Sequence, residues 1–469
     1  MGSALLLPFG FVSCGCADTK AGPARACPQN YHSGPPAISG TAPRRASRAL
    51  YKYDLAAIGL VVVTSPTTPE ISLNRREKLL YILLLGALTA LGPFTVDLYL
   101  PAFPALEESF GVSAAAIQLT LTGTTVGFGL GQLVVGPLSD KFGRRMPLIL
   151  ATALHIASSV GAALSTDIGT LSLFRVLMGV GAAGGGVVAM AMVRDLFHGY
   201  AMVRMFSRMS LVNGLAPILA PVIGSQLLLV SPWPGIFYFL AGYGTLVIIA
   251  SIFLIRETLP AELRGKSTST VAQRYKTVLT DRVFIGMLLV GSLNFGGLFA
   301  YLSASTFLFQ QVYGFSPQAY GVLFGINSLG IVAGVQISSR AIKRIAPQWI
   351  MAGATAFMLL TAALIVVFDL LHFGLWGILI PLWFYIFATG FMFPCVQVLA
   401  LANHGAQAGT AASLLGAAQF MMAGIVPPVV GALGVSTAVP MGAVQAVCIA
   451  AAVAALWLVV RPRTVPSIH

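Results

Sequence analysis

From residue 79 onward the chain is a succession of long apolar runs separated by short polar breaks. The runs lie near 79–101, 114–137, 146–165, 169–191, 207–230, 235–255, 283–308, 318–338, 349–369, 374–398, 409–432 and 440–460. Each is long enough to cross ~30 Å of hydrocarbon at ~1.5 Å per helical residue. Inside lipid every backbone N–H and C=O must be satisfied within the segment, so the runs are predicted to be helices. The expected fold is therefore all-α and integral to a membrane, with twelve transmembrane helices.

Residues 1–78 do not share this pattern. They are rich in Gly, Pro, Ser, Ala and Arg, as in Ser33-Gly34-Pro35-Pro36 and Pro43-Arg44-Arg45. Their one sizeable apolar run, 55–63, is too short to span. The first sixteen residues resemble a signal h-region but lack a basic segment before it. The expectation is a disordered cytoplasmic extension.

The polar breaks alternate in charge. Lys141, Arg144 and Arg145 follow the second run, and Arg194, Arg204 and Arg208 lie between the fourth and fifth. Arg256, Arg264, Lys266, Arg274, Lys276 and Arg282 follow the sixth, and Arg340, Lys343 and Arg344 the eighth. Arg461 and Arg463 sit in the tail. The intervening breaks carry Glu107, Glu108, Asp167, Asp369 and His372. Cytoplasmic loops concentrate Lys and Arg, so both ends of the membrane unit are expected on the cytoplasmic side of a bacterial inner membrane. An odd number of spans would break the alternation.

The break at 256–282 is the longest after the first span and divides the runs six and six. A bundle over 79–255, a linker over 256–282, a second bundle over 283–460 and a tail over 461–469 follow. A parallel internal repeat fits this division. Ser139–Arg145 is echoed by Ser338–Arg344, and Pro221-Val222-Ile223-Gly224 by Pro428-Val429-Val430-Gly431.

Composition narrows the function. The chain is 57% apolar and 9% charged, with a mean hydropathy of +0.87. A soluble domain carries roughly a quarter charged residues, so this chain needs lipid as solvent. The net charge of +13 resides in loop clusters rather than a basic stripe interleaved with aromatics, which argues against nucleic acid. Five cysteines make no disulfide framework, and neither HExxH nor CxxC occurs. Gly179-Val180-Gly181-Ala182-Ala183-Gly184 matches GxGxxG but lies inside an apolar run, where close helix packing explains it. Gly265-Lys266-Ser267 resembles the end of a Walker A loop, yet Pro260 occupies the place of its first Gly. With no nucleotide site visible, transport would be secondary.

The break after the second run reads Gly136-Pro137-Leu138-Ser139-Asp140-Lys141-Phe142-Gly143-Arg144-Arg145. It resembles the G-x-x-x-D-[RK]-x-G-[RK]-[RK] signature of the major facilitator superfamily at every position. Physically, Gly136 would allow close helix approach, Asp140 would pair with a basic residue, and Arg144 and Arg145 would anchor the loop at an anionic leaflet. The resemblance implies that Gly136, Asp140, Gly143, Arg144 and Arg145 form a conformational latch. Asp97-Leu98-Tyr99-Leu100-Pro101-Ala102-Phe103-Pro104, Val193-Arg194-Asp195, Leu215–Pro221, Arg256-Glu257-Thr258-Leu259-Pro260 and Gly409–Ser413 resemble the Bcr/CflA drug-resistance group. This likeness covers about 79–460. It implies a hinge at Pro217, Pro221 and Gly224, although the usual Gly-Gly ending is here Gly224-Ser225.

Two charges within the membrane are left unexplained by the loop clusters, Asp97 and Arg175. Intramembrane ionisable groups are costly and usually functional. Counting helix rise places Asp97 ~10 Å and Arg175 ~8 Å outward from mid-membrane. Their shared depth predicts a pair, read here as a proton-coupling site; a structural salt bridge and a capping role for Asp97 are the other readings. Tyr99, Gln118, Asn213, Asn294, Gln397 and Gln419 are candidate cavity-lining residues, while His155 reads as a helix-contact residue. No metal and no cofactor is expected, the proton gradient being the energy source.

Together these features predict a non-enzymatic, monomeric transporter that exports small amphipathic drugs in exchange for protons. Its partners would be drug-like molecules, protons and membrane lipids, with no nucleic acid. A metabolite exporter or importer on the same fold, and a transport-dead sensor, are the alternatives.

Overall fold

The computed structural model describes residues 75–197, 199–265, 271–404 and 407–465. The expectation for residues 1–74 lies outside the described residues. The described chain is helical, without strands. It begins with α1 (Arg75–Asp97), α2 (Phe103–Phe110), α3 (Ala114–Phe142), α4 (Arg145–Ala163), α5 (Ile168–Leu196), α6 (Gly199–Val230) and α7 (Pro234–Leu254). A connecting helix, α8 (Val271–Leu279), leads to α9 (Arg282–Phe307), α10 (Pro317–Ala341), α11 (Pro347–Leu370), α12 (Gly374–Leu401), α13 (Ala408–Leu433) and α14 (Val439–Ala454).

Each of the twelve apolar runs falls on one of these helices. Eleven crossings are long and apolar enough to span a membrane, with α1 and α2 counted together over Leu79–Phe110. The remaining run is α6, whose apolar part, Gly214–Val230, is ~26 Å long. Short connections make successive helices antiparallel, so the loops form two ends: a basic end with the Lys and Arg clusters, and an acidic end with Glu107, Asp167 and Asp369.

Two stretches differ from expectation. The segment with Glu107 and Glu108 is helical, not a loop. A 3-10 turn over Leu100–Ala102 and then α2 prolong the first crossing. Pro101 and Pro104 sit in the first positions of these two turns, where a fixed φ and a missing N–H suit a helix start. The linker, likewise, contains α8.

The internal repeat has a structural counterpart. Gly111 and Gly314 adopt left-handed φ of 62° and 69°, two residues after which Ser113 and Ser316 cap α3 and α10 in extended conformation. Lipid supplies no hydrophobic drive between helices, so small residues set how closely they pack. Gly127 of α3 lies on the Val176 carbonyl of α5, and Gly179 of α5 on the Thr124 carbonyl of α3; a Cβ at either would overlap it. This is the role of the GxGxxG stretch. Between the two bundles, α3 packs along α13 and α6 along α10.

Candidate functional site

The first crossing breaks where its chemistry lies. Asp97 ends α1 and is 5% exposed; Arg175, two turns into α5, is fully buried. They reach the same depth, as the helix-rise count predicts, but they do not form an ion pair. The Arg175 guanidinium donates to the Thr95 carbonyl at 2.7 Å and lies over the Tyr99 ring, 3.7 Å from its centre. Thr95 and Tyr99 are four residues apart and share a face. Asp97, two residues from each, falls ~200° around the turn. It faces away from Arg175, on the side of the second bundle that carries Tyr301 and Tyr320. The expected pair is thus replaced by two separate sites.

A buried polar cluster continues from Arg175 into α4. The Thr95 hydroxyl donates to the Leu91 carbonyl at 2.6 Å, so its oxygen accepts from His155 Nε2 at 2.8 Å. That assignment leaves His155 Nδ1 as an acceptor, and it has no hydrogen-bond partner. Arg175 Nε and Nη2 are also unpartnered. His155 therefore ties α4 to α1 beside an arginine whose charge is met mainly by backbone and aromatic rings. On Asp97's side, Asn327 donates to the Tyr301 hydroxyl at 3.0 Å, and Tyr320 and Ser305 hydroxyls bond at 3.1 Å.

The candidate lining residues divide. Tyr99 is buried under Arg175 and bonded to the Thr120 hydroxyl at 2.8 Å, so it does not line a cavity. Gln118 is also buried and spent on an interbundle bond, described below. Asn294 is buried with its Oδ1 unpartnered. Gln419 is half-buried against Gly291, and Gln397 is exposed, one turn from Phe393 on the same face of α12. The side chain of Asn213 lies outside the described residues.

At the acidic end the bundles are joined by glutamines. Gln118 of α3 donates to the Ser303 carbonyl of α9 at 3.1 Å. From the other side, Gln310 donates to the Pro101 carbonyl at 3.1 Å, Gln311 to Glu107 at 2.7 Å, and Gln318 to the Ser225 carbonyl at 2.9 Å. Gln310 and Gln311 lie in a π-helical turn over Leu308–Val312. Gly224 sits directly on the Leu98 carbonyl, and Phe103 packs on Phe307 with ring centres 5.7 Å apart. This closure shuts the acidic end. Pro217, Pro221 and Gly224 lie within an unbroken α6. Nothing in the sequence marked Gln310, Gln311 or Gln318, since a lone glutamine near a helix end has no distinctive spacing.

The basic end carries a compact charge cluster. Arg144 is 7% exposed and bonds Asp140 at 2.5 Å, Asp195 at 2.8 Å and the Ser139 hydroxyl at 2.9 Å. Burial opposes its charge, but Asp195 and Asp140 outweigh this and hold its pKa above the usual arginine value. It is thus a buried tie rather than an anchor to lipid. Arg145 reaches inward too, donating to the Ile252 carbonyl at 2.7 Å. Thr258 donates to Asp195 at 3.0 Å. Glu257 accepts from the backbone N–H groups of Arg144, Leu259 and Arg145 at 2.8, 3.0 and 3.2 Å. Burial works against its ionisation, yet these N–H groups and Arg264 hold its carboxyl below the usual range. Asp195 and Glu257 occur in sequence stretches that carry the resemblance, but only the fold shows that they complete the cluster.

The two glycines of this loop differ. Gly143 has φ 93°, and a Cβ there would meet Glu257 Oε2 at 2.5 Å, so glycine is required. Gly136 needs no special closeness: a Cβ there would meet Val187 at an ordinary 3.6 Å. The expectation of close approach at Gly136 is therefore corrected. Beside the cluster, a polar cavity of about 280 Å³ reaches Arg274 and Tyr275 of α8 and Gly409 and Thr410 of α13. Among the described residues, no cluster of three or more His, Cys, Asp or Glu is placed to hold a metal.

Two six-helix bundles packed along a common seam, with one buried carboxyl facing it, have the architecture of a multi-pass membrane transporter. The chain belongs to the Major Facilitator Superfamily, which matches residues 83–428. It is 37% identical over 373 residues to the uncharacterised MFS-type transporter YdgK of Bacillus subtilis, covering 79% of this chain and 92% of that one. It is 28% identical over 385 residues to a bicyclomycin resistance protein homolog of Haemophilus influenzae, covering 82% and 97%. The solved xylose transporter XylE from E. coli shares the fold, with a TM-score of 0.64 at 14% identity, over 84% and 99% of the two chains. The protein is a transporter and not an enzyme.

Proposed function

We propose that this transporter exports small drug-like molecules across a bacterial inner membrane in exchange for protons. The observation that carries the reading is Asp97: a buried carboxyl at the seam between the bundles, with no ion-pair partner among the described residues. Closing a low-dielectric seam over a charged carboxylate costs several kcal/mol, whereas closing it over the neutral acid costs little. Proton loading at Asp97 and closure of the acidic end are therefore linked. The name of the Haemophilus relative supports a drug as the cargo.

The cycle follows alternating access. The basic end, with its Lys and Arg loops, faces the cytoplasm. With the glutamine closure intact, the protonated carrier loads substrate from that side and releases its proton. Rocking of α1–α7 against α9–α14 then breaks the glutamine bonds and opens the acidic end. The Arg144 cluster is the latch that stiffens the basic end of the first bundle. Gly224, pressed against the break in the first crossing, is where α6 follows α1. The protein works as a monomer and uses the proton gradient in place of a cofactor.

The test is a susceptibility panel in an efflux-deficient bacterial host, with proton release from everted vesicles on drug addition. Wild type should lower susceptibility and release protons; Asp97→Asn should do neither. Unchanged proton release by Asp97→Asn would falsify the coupling role. No change in susceptibility to any compound would instead favour a metabolite as cargo.

A further inference from the structure

The cavity at the basic end carries more positive than negative charge in its lining. About 280 Å³ in volume, it is walled by α3 and α5 of the first bundle, α8 of the linker and α13 of the second bundle. Three guanidinium groups, of Arg144, Arg194 and Arg274, line it against two carboxylates, of Asp140 and Asp195. Arg144 takes up both carboxylates, at 2.5 and 2.8 Å. Arg194 and Arg274 form no ion pair among the described residues. Nε of Arg274 is buried and has no hydrogen-bond partner. A buried charged donor left unmet is costly, and an acceptor in the cavity removes that cost.

The other walls add donors. α13 begins at Ala408, and the side chain of Gln407 does not cap it. The first-turn N–H groups, at the positive end of the helix dipole, thus have no side-chain acceptor. Gly409 in that turn lets Arg194 approach: a Cβ there would meet Arg194 Nη1 at 2.8 Å. An arginine of the first bundle therefore rests on a helix start of the second, and two groups of like sign repel unless an anion lies beside them. Tyr275 and Thr410 bring hydroxyls to the same space.

This donor set suits an oxyanion with several acceptor atoms. Guanidinium forks pair bidentately with phosphate, and helix starts bind it. A halide has one acceptor centre and would leave most of these donors unmet. A cation would find both carboxylates already held by Arg144. Gln407 adds a buried amide oxygen without a partner, which accepts from a hydroxyl on the ligand. Hydrogen phosphate and glycerol-bearing headgroups both carry such a hydroxyl.

We propose that this cavity is a phosphate-group site, filled by a phosphate from solution or by the headgroup of an anionic lipid, and that its ligand is not transported. The bound anion joins α5, α8 and α13. Rocking of the bundles changes the spacing of α5 from α13, so the anion favours the arrangement with the acidic end closed. That coupling rests on the alternating-access reading; the binding does not.

The experiment uses the full-length protein in maltoside detergent, which carries no phosphate, titrated calorimetrically with inorganic phosphate. Binding should saturate. Arg274→Gln and Arg194→Gln should each weaken it about tenfold or more. Lys276→Gln removes an exposed charge two residues along α8 and should leave it within about twofold. No saturable binding, or equal weakening by Lys276→Gln and Arg274→Gln, overturns the site; Arg274→Gln, on the linker helix, decides alone where Arg194→Gln does not fold. Phosphatidylcholine nanodiscs with and without phosphatidylglycerol separate the two sources. Equal phosphate binding in both supports a ligand from solution, and displacement by phosphatidylglycerol supports the headgroup. Spin labels on α2 and α10 read the coupling. In Gln310→Leu with Gln318→Leu, phosphate should shift the acidic end back toward closed by about tenfold. Saturable binding without that shift overturns the coupling. Drug export is measured separately, and its absence beside the expected phosphate binding would count against the exporter reading alone.

Discussion

The Arg175 guanidinium lies over the Tyr99 ring, 3.7 Å from its centre, and bonds the Thr95 carbonyl one turn away. An arginine of α5 thus holds both sides of the break in the first crossing while leaving Asp97 to face the other bundle. Cation–π contact in a desolvated place is worth up to about 2 kcal/mol. Tyr99→Phe keeps the ring and loses the Thr120 hydrogen bond, so it should cost about 1 kcal/mol. Tyr99→Leu removes the ring and should cost about 2 kcal/mol or more. Thermal unfolding in detergent checks the order, and equal losses for the two variants would argue against the stacking.

The acidic-end closure is made by four glutamine amides, three on backbone carbonyls and Gln311 on the Glu107 carboxylate. Each hydrogen bond contributes about 0.5–1.5 kcal/mol, so Gln310→Leu with Gln318→Leu should shift the equilibrium toward an open acidic end by roughly fivefold to a hundredfold. Distances between spin labels on α2 and α10 would report the shift. The closed population should also depend only weakly on salt, because screening acts on the single Gln311–Glu107 contact and not on the three amide–carbonyl bonds.

The glycines of the latch and of α6 should rank against motif expectation. Gly224→Ala would place a methyl on the Leu98 carbonyl and should destabilise by about 1–3 kcal/mol, with loss of transport. Gly136→Ala should be neutral or slightly stabilising, since alanine favours a helix by up to ~1 kcal/mol and the space is free. Expression level, melting temperature and transport of the two variants decide this.

Glu257 predicts an acid-sensitive basic end. Its folded pKa lies below the ordinary value of 4.5, so its contribution is full above pH 4.5 and is lost as pH falls through the lowered value. Wild type should therefore lose stability below about pH 4.5. Glu257→Gln should be less stable than wild type at neutral pH and show less of this acid loss. Melting temperature against pH measures both.

Much of this protein was legible along the chain. Lipid obliges each spanning segment to satisfy its own backbone, so runs such as 114–137 and 409–432 could only become α3 and α13, and their loop charges set the alternation of ends. The loop at Asp140–Arg145 and the stretch from Asp97 to Pro104 carried the family resemblance. Depth was legible as well, because rise per residue is constant: Asp97 and Arg175 do lie at one level. Direction around the helix axis was not. Whether α1 turns Thr95 and Tyr99 or Asp97 toward α5 depends on how it packs among α5, α6 and α7, which is settled by contacts far apart in sequence. The glutamine closure and the tasks of Asp195 and Glu257 depend on the same distant contacts. Hydropathy and helical rise determined the spans and their depths; only tertiary packing decided which side chains meet across them.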